Sequence, residues 1–554
     1  MNVLEVSVSD EIRAQAHPRL SSLREVKRSW IALLQLLFLV AISLPGTAQI
    51  TQHAPERDDL EQFIPAQMRS WNVPGLAIAV VQNGRVIYSR GFGLRDVKSN
   101  LPVTSKTIFA IGSVSKSFTS LSMGMLNDEG KLDWDKPVRQ YLPEFQMYDP
   151  VASERMTPRD LISHRVGMAG HDLLWYSSDF SREDLVRRLR FLPSDHDFRS
   201  GYHYNNMLVT TAGYLIGKVS GDSWEDFVRH RIFDPLQMSS SNFSVVDNQK
   251  SPDFAHPYRK DEHSGAVSEM PFHAMSAIGP AGSINSNVED MARYAIFQLG
   301  KGKIGDRQLV SEASLNLNHS PQVPMPDYGS DSDSQVPMPG GAPSKEIGPR
   351  SYAMGWVISS YRGHPLWWHN GGIDGFYALL SLLPDQNLGL VILTNLLDDD
   401  PVPEIVQYHI YDHLLGLDSV DWAKHFQELE AKQKTAEEEE NKKELSKRTP
   451  NTHPSHELKD YAGRYENPGY GVITIQLSDD GFSAALNQLS FPLHHYEYDV
   501  FDAPPNSAGA VDIGKLRFLT NMSGDIDGIA APFEPDAPEI IFTRVPEKTP
   551  QEKK

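Results

Sequence analysis

A serine followed three residues later by a lysine, Ser113-Val114-Ser115-Lys116, is the first grouping in this chain whose residue types and spacing suit catalysis. A serine hydroxyl is a poor nucleophile at neutral pH, so a protein that uses one places a base beside it and donors opposite the oxyanion it creates. A lone Ser-x-x-Lys arises by accident about twice in a chain of this length. Here two more polar triplets follow it, Tyr204-Asn205-Asn206 and His369-Asn370-Gly371. Together they supply a nucleophile, candidate bases and a glycine pair, Gly371 and Gly372, that permits close backbone approach.

The base is the difficult part. A free tyrosine titrates near 10 and a free lysine near 10.4, each about three units too high for a base at pH 7, a deficit of roughly 4 kcal/mol. Each can correct the other, because a phenolate is favoured beside an ammonium and desolvation pushes a lysine toward its neutral form. The expectation is that Tyr204 and Lys116 jointly take the proton from Ser113 and return it to the leaving group, with Asn206 orienting Lys116 or the substrate amide. Taken singly, a Tyr-x-Asn is ordinarily a turn and a histidine such as His369 ordinarily a solvated loop residue. Order and context, including Trp367-Trp368 before the histidine, argue for a pocket edge instead.

These residues need elements to carry them. Val114, Phe118, Leu121 and Met125 recur at helical spacing and end near Gly130, which predicts an amphipathic helix starting at Ser113, with Ser113, Lys116 and Ser120 on one sector. A helix over 58–71 precedes strands Leu76–Val81 and Val86–Tyr88, joined by the hairpin signal Asn83-Gly84. A second hairpin is expected from Tyr377–Leu383 and Leu388–Thr394, with helix following to about Leu415. An antiparallel sheet built from both ends of this region, with a largely helical insertion bearing Ser113 and Tyr204, accounts for the distribution. Residues 320 to 350, with two Gln-Val-Pro-Met-Pro copies, read as a mobile loop whose prolines oppose regular pairing.

The triplets and their surroundings resemble the serine β-lactamases and penicillin-binding proteins, in particular the branch with class C enzymes, D-alanyl-D-alanine carboxypeptidases and D-aminopeptidases. Further landmarks are Val73-Pro74-Gly75, Leu161-Ile162-Ser163-His164-Arg165-Val166-Gly167, Gly279-Pro280-Ala281-Gly282-Ser283 and Gly375-Phe376, so the resemblance spans about residues 58 to 416. It implies an α+β fold, a β-lactamase/transpeptidase-like antiparallel sheet with helices and a helical insertion. It also implies that the backbone N–H groups of Ser113 and Gly372 form the oxyanion hole. The chain departs from the class A pattern in carrying a tyrosine triplet second and a histidine third. His369, where β-lactamases commonly have lysine, is expected to give a weaker, titratable positive charge, favouring a D-amino-acid-directed peptidase or carboxypeptidase over an efficient β-lactamase. An esterase or weak β-lactamase with the same site, and a non-catalytic binding or assembly protein on this scaffold, are the alternatives.

Domain organisation is read as an N-terminal extension and signal peptide over 1–48, the hydrolase region over 49–416, a charged helical linker over 417–457, a β-barrel over 458–546 and a disordered tail over 547–554. The barrel segment, with short aromatic-rich strands, is similar to the lipocalin-like domain that accompanies some members of the family. In so small a barrel, core packing is the default role for the inward rings. Arg24, Lys27 and Arg28 before the apolar run Trp30–Leu44 give a signal-peptide layout, cleaved after Ala48 or kept as an anchor, and hence an exported, periplasmic protein.

Composition removes other classes. A net charge of -20 argues against a nucleic-acid partner. The absence of cysteine excludes disulfides and a thiol nucleophile. With no HExxH pattern, His203, His494 and His495 are not read as a metal site, and no cofactor is expected. No GxSxG elbow is present, which disfavours an α/β-hydrolase. The expected partner is a small molecule or short peptide, with a homo-oligomer allowed.

Overall fold

A computed structural model describes residues 57–261, 264–326, 345–397, 401–478, 481–505, 511–534 and 537–546. The expected signal peptide, the second Gln-Val-Pro-Met-Pro copy and the C-terminal tail lie outside these residues. No helix among them is long and apolar enough to cross a membrane.

Asn83 and Gly84 both take left-handed backbone, at φ 51° and 73°, as a tight hairpin turn between twisted strands requires. The strands they join, Gly75–Gln82 and Arg85–Asp96, enter a nine-stranded antiparallel sheet in which Gly75–Gln82 also pairs Leu388–Thr394, with Leu76 opposite Thr394 and Gln82 opposite Leu388. The two ends of the hydrolase region thus close one sheet. Leu76, Ile78 and Val80 point into one apolar cluster and Ala77, Ala79 and Val81 into another, which is why this strand reads as an unbroken apolar run. Helices Arg57–Trp71 and Val402–Leu414 pack on the first face, and Val288–Leu299 on the second.

One expectation needs correction. Val323–Pro324, within the first Gln-Val-Pro-Met-Pro copy, is not loop but an edge strand of this sheet, paired with Ser351–Tyr352. Proline is tolerated there because an edge strand has one side without a ladder to serve. The Gln322 and Met325 N–H groups on either side donate to Tyr352 and Arg350 carbonyls at 2.8 and 3.0 Å.

The C-terminal region forms a second nine-stranded antiparallel sheet, nearly closed into a barrel. Its inward rings pack on one another, with Tyr461 to Phe518 and Phe482 to Phe501 each 4.9 Å between centroids, so they fill the interior. The helix Trp422–Lys447 leads to it, seated at its start by buried Trp422 and Phe426.

Candidate active site

Ser113 lies in a single 3-10 turn, Gly112–Val114, from which the helix Ser115–Asp128 runs on, so the expected helix begins slightly later than its nucleophile. Gly112 sits at φ +48°, and a Cβ there would meet the Gly371 carbonyl carbon at 3.0 Å. A Cβ on Gly371 would in turn fall 2.1 Å from Ile111 O and 2.7 Å from Ser113 N. Two glycines therefore let the strand His364–Ile373 lie directly against the serine turn. Gly372 is the next residue of that strand.

The helix after the turn is buried all round, polar sector included. Two of its hydroxyls engage neighbouring backbone, Thr119 Oγ1 donating to Pro280 O at 2.7 Å and Ser115 Oγ accepting from Ile284 N–H at 3.1 Å, while Ser120 Oγ is buried without a hydrogen-bond partner. The helix Asn206–Ser220 closes in through Gly213, where a Cβ would strike the Pro280 ring at 2.0 Å. This approach brings Asn206 and the Ala281 carbonyl to Lys116.

Lys116 is completely buried. Its Nζ stands 2.8 Å from Ser113 Oγ, 2.8 Å from Asn206 Oδ1 and 2.9 Å from Ala281 O. Burial pulls its ammonium down to about 7, against the opposing attraction of the Asp172 carboxylate. The three partners fit both protonation states. The two carbonyl oxygens can only accept, so a neutral amine spends its two N–H bonds on them and leaves its lone pair for the serine O–H. Once protonated, the same nitrogen donates its third N–H to Oγ.

Tyr204 OH donates to Ser113 Oγ at 2.7 Å. Burial, with the Asp172 charge adding to it, drives the phenol upward, so it stays protonated at neutral pH, although its bond to Ser113 works the other way. Its ring rests on His164, 4.3 Å between centroids. His164 ends the helix Pro158–Ser163 in left-handed backbone and accepts the Asn205 N–H on Nδ1 at 3.2 Å. Asn205, buried, caps the next helix by accepting from Leu208 N–H at 2.8 Å. The stretch Leu161–Gly167 and the tyrosine triplet are thus one support.

Sequence reasoning missed Asp172. Its Oδ1 accepts from Asn206 Nδ2 at 3.1 Å and from Trp175 Nε1 at 2.6 Å, while burial raises its carboxyl. Asn206 therefore orients Lys116 with one end and is held by Asp172 with the other. Asp172 opens a four-residue helix in an irregular stretch, and no spacing rule marks it. The barrel braces this stretch: Asn487 Nδ2 donates to Leu173 O and Tyr176 O at 3.0 and 3.1 Å.

His369 differs from its expected role. Its ring is buried, with Nδ1–H donating to Asn370 O and Nε2 accepting from Tyr352 OH at 2.9 Å. Burial, with the nearby Lys116 charge, holds it down to about 3. It is neutral at physiological pH and contributes no positive charge to the pocket edge, because the strand turns this side chain into the molecule. Beyond Gly372, Ile373 and Asp374 line a cavity of about 450 Å³ including its mouth, with Phe243, Phe272, His273 and Met275. Asp374 Oδ1 accepts from Tyr176 OH at 2.9 Å, while Asp374 Oδ2 and His273 Nε2 are buried with no hydrogen-bond partner.

The arrangement suits proton transfer from one serine hydroxyl beside a glycine-lined backbone cradle, and comparisons with known proteins agree with its architecture. The Beta-lactamase family model matches residues 60–414, and a domain of unknown function (DUF3471) matches 447–544. The chain is 27% identical over 521 residues to an unguisins hydrolase, ungD, of Aspergillus violaceofuscus, covering 88% of this chain and 90% of that protein. It is 25% identical to protein flp of Staphylococcus aureus strain N315 over 363 residues, 64% of this chain and 65% of flp. Among solved structures, the octameric penicillin-binding protein homologue from Pyrococcus abyssi aligns with a TM-score of 0.56 at 22% identity, over 88% of this chain and all of that one.

Proposed function

We propose that this chain, which belongs to the Beta-lactamase family and is an enzyme of serine-hydrolase type, hydrolyses small amides of D-amino acids through an acyl-enzyme on Ser113. The observation that carries the reading is the shared proton network: one Oγ within 2.8 Å of a lysine amine and 2.7 Å of a phenol. Lys116, half neutral near pH 7, takes the serine proton as Oγ bonds to the substrate carbonyl carbon. The Ser113 and Gly372 N–H groups receive the oxyanion. Collapse of the tetrahedral intermediate breaks the C–N bond, and the departing nitrogen takes its proton from Tyr204, which is resupplied from Lys116. Water then adds to the ester carbonyl, its proton passing through Tyr204 to Lys116, and the second tetrahedral intermediate breaks its C–Oγ bond as Lys116 returns that proton to Ser113.

The joint base expected from the sequence therefore divides into two roles: the amine accepts, and the phenol relays. His369, being neutral, offers no charge to attract a substrate carboxylate. The unpartnered Asp374 Oδ2 favours acyl groups that present N–H donors. This supports an amino-terminal or internal peptidase over a carboxypeptidase. The name of the Aspergillus relative supports hydrolysis as the reaction class. Export through residues 1–48 and assembly into a homo-oligomer are parts of the same proposal, tested by N-terminal sequencing of secreted material and by sedimentation.

The test is purified protein on D-alanyl amides with free and acetylated amines, on peptides ending in D-alanine carboxylate, on simple esters and on a chromogenic β-lactam. Free-amine D-amides are expected to turn over fastest, with Ser113→Ala inactive. Turnover of esters alone, or activity retained by Ser113→Ala, would overturn the reading.

A further inference from the structure

Ahead of Tyr204 lies a loop whose backbone is fixed independently of its side chains. His196 N–H donates to Gly167 O and Arg199 N–H to Val166 O, both at 3.1 Å. Gly167, at φ +82°, leaves no space for a Cβ, which would come 2.5 Å from Asp197 O. At the loop's end His203 N–H donates to His164 O at 2.7 Å.

On this frame Asp195, His196 and His203 converge. Asp195 Oδ2 stands 3.3 Å from His196 Nδ1 and 3.5 Å from His203 Nδ1, and one candidate ligand atom from each residue lies within 4.8 Å of the others. Both contacts are longer than the 2.7–3.2 Å of ordinary N–H···O hydrogen bonds. They match a different geometry. Around an ion with bonds of about 2.0–2.2 Å, ligand atoms at the tetrahedral angle stand about 3.3–3.5 Å apart.

The carboxylate supplies an independent indication. The Asp195 side chain is 3% exposed, yet its Oδ1 is buried with no hydrogen-bond partner. A buried carboxylate oxygen without a donor is costly unless positive charge compensates it. The His196 side chain, 42% exposed, leaves one side of the cluster open to solvent, where a water can complete a four-coordinate shell.

We propose that Asp195, His196 and His203 bind one divalent transition-metal ion, of the zinc class favoured by two imidazoles and a carboxylate. The ion clasps the two ends of the loop that leads into Tyr204 and takes no part in the bond-breaking step. His203 was set aside in the sequence because the chain has no HExxH pattern and no cysteine ligand, and a site whose ligands meet on a loop carries neither mark.

The experiment uses full-length protein stripped with a chelator and titrated with Zn²⁺ by calorimetry at pH 7.5, with Co²⁺ absorption as a second readout of four-coordinate geometry. Wild type is expected to bind one ion per chain with micromolar or tighter affinity and to melt at a higher temperature when loaded. His196→Ala, at a solvent-facing position that leaves the fold intact, and Asp195→Asn are expected to weaken binding at least ~10-fold and to lose the melting shift. No binding at micromolar Zn²⁺, or equal affinity in all three proteins, overturns the proposal.

Discussion

Asp172→Asn isolates one electrostatic link in the site. Both hydrogen bonds that Asp172 accepts, from Asn206 Nδ2 and Trp175 Nε1, end on the same oxygen, Oδ1. An asparagine that keeps that oxygen in place preserves both bonds and removes only the charge. The 2.8 and 3.1 Å bonds through Asn206 put the carboxylate roughly 7 Å from Lys116 Nζ. At an effective dielectric of about 20 that separation is worth about 2 kcal/mol of attraction for the ammonium. Losing it makes the ammonium easier to deprotonate, so the active amine persists at lower pH. The rate of inactivation by a serine-directed fluorophosphonate, followed against pH, is expected to rise through an acid limb near 7 in wild type. In Asp172→Asn the limb should move down by roughly one to two pH units. A limb that stays in place, or moves up, would refute the assignment of Lys116 as the group whose deprotonation activates Ser113.

Tyr204→Phe keeps the ring on His164 but removes the donor to Ser113 Oγ; acylation should slow about 10²- to 10⁴-fold with unchanged circular dichroism and melting. Gly213→Ala must push Pro280 away, and the Ala281 carbonyl with it; a stability loss of about 1–3 kcal/mol in denaturant unfolding and a slower acylation are expected together. His369 and His319, both held near 3 by burial, bind protons in the unfolded chain below about 6.5 but not in the folded one. Stability supplied above that pH is therefore lost as acid is added, by about 2 kcal/mol per ring at pH 5, and urea midpoints should fall more steeply in wild type than in His369→Gln.

Much of this was legible in the sequence, for physical reasons that differ by element. The helix that follows Ser113, the Asn83-Gly84 hairpin and the closure of the sheet by Leu388–Thr394 follow from local backbone demands and from apolar patterns, which a sequence displays directly. Ser113, Lys116 and Tyr204 were identifiable because their order carries a family pattern, and the structure brings all three within hydrogen-bond reach. Asp172 was not legible, because its importance comes from a neighbour, Asn206, on another helix. His369 was read with the wrong charge, since which face of a strand is buried depends on the sheet packed around it. Val323–Pro324 was read as loop because proline signals the loss of a donor, and only the sheet order shows that an edge position does not need it.

The central claim, that Ser113 is the nucleophile activated by its buried lysine, is tested most directly by intact-protein mass spectrometry after fluorophosphonate treatment at pH 8, followed by peptide mapping. One adduct per chain, on Ser113, absent from Ser113→Ala and formed far more slowly in Lys116→Met, is the expected result. An adduct on a different serine, or labelling of Lys116→Met at the wild-type rate, would contradict it.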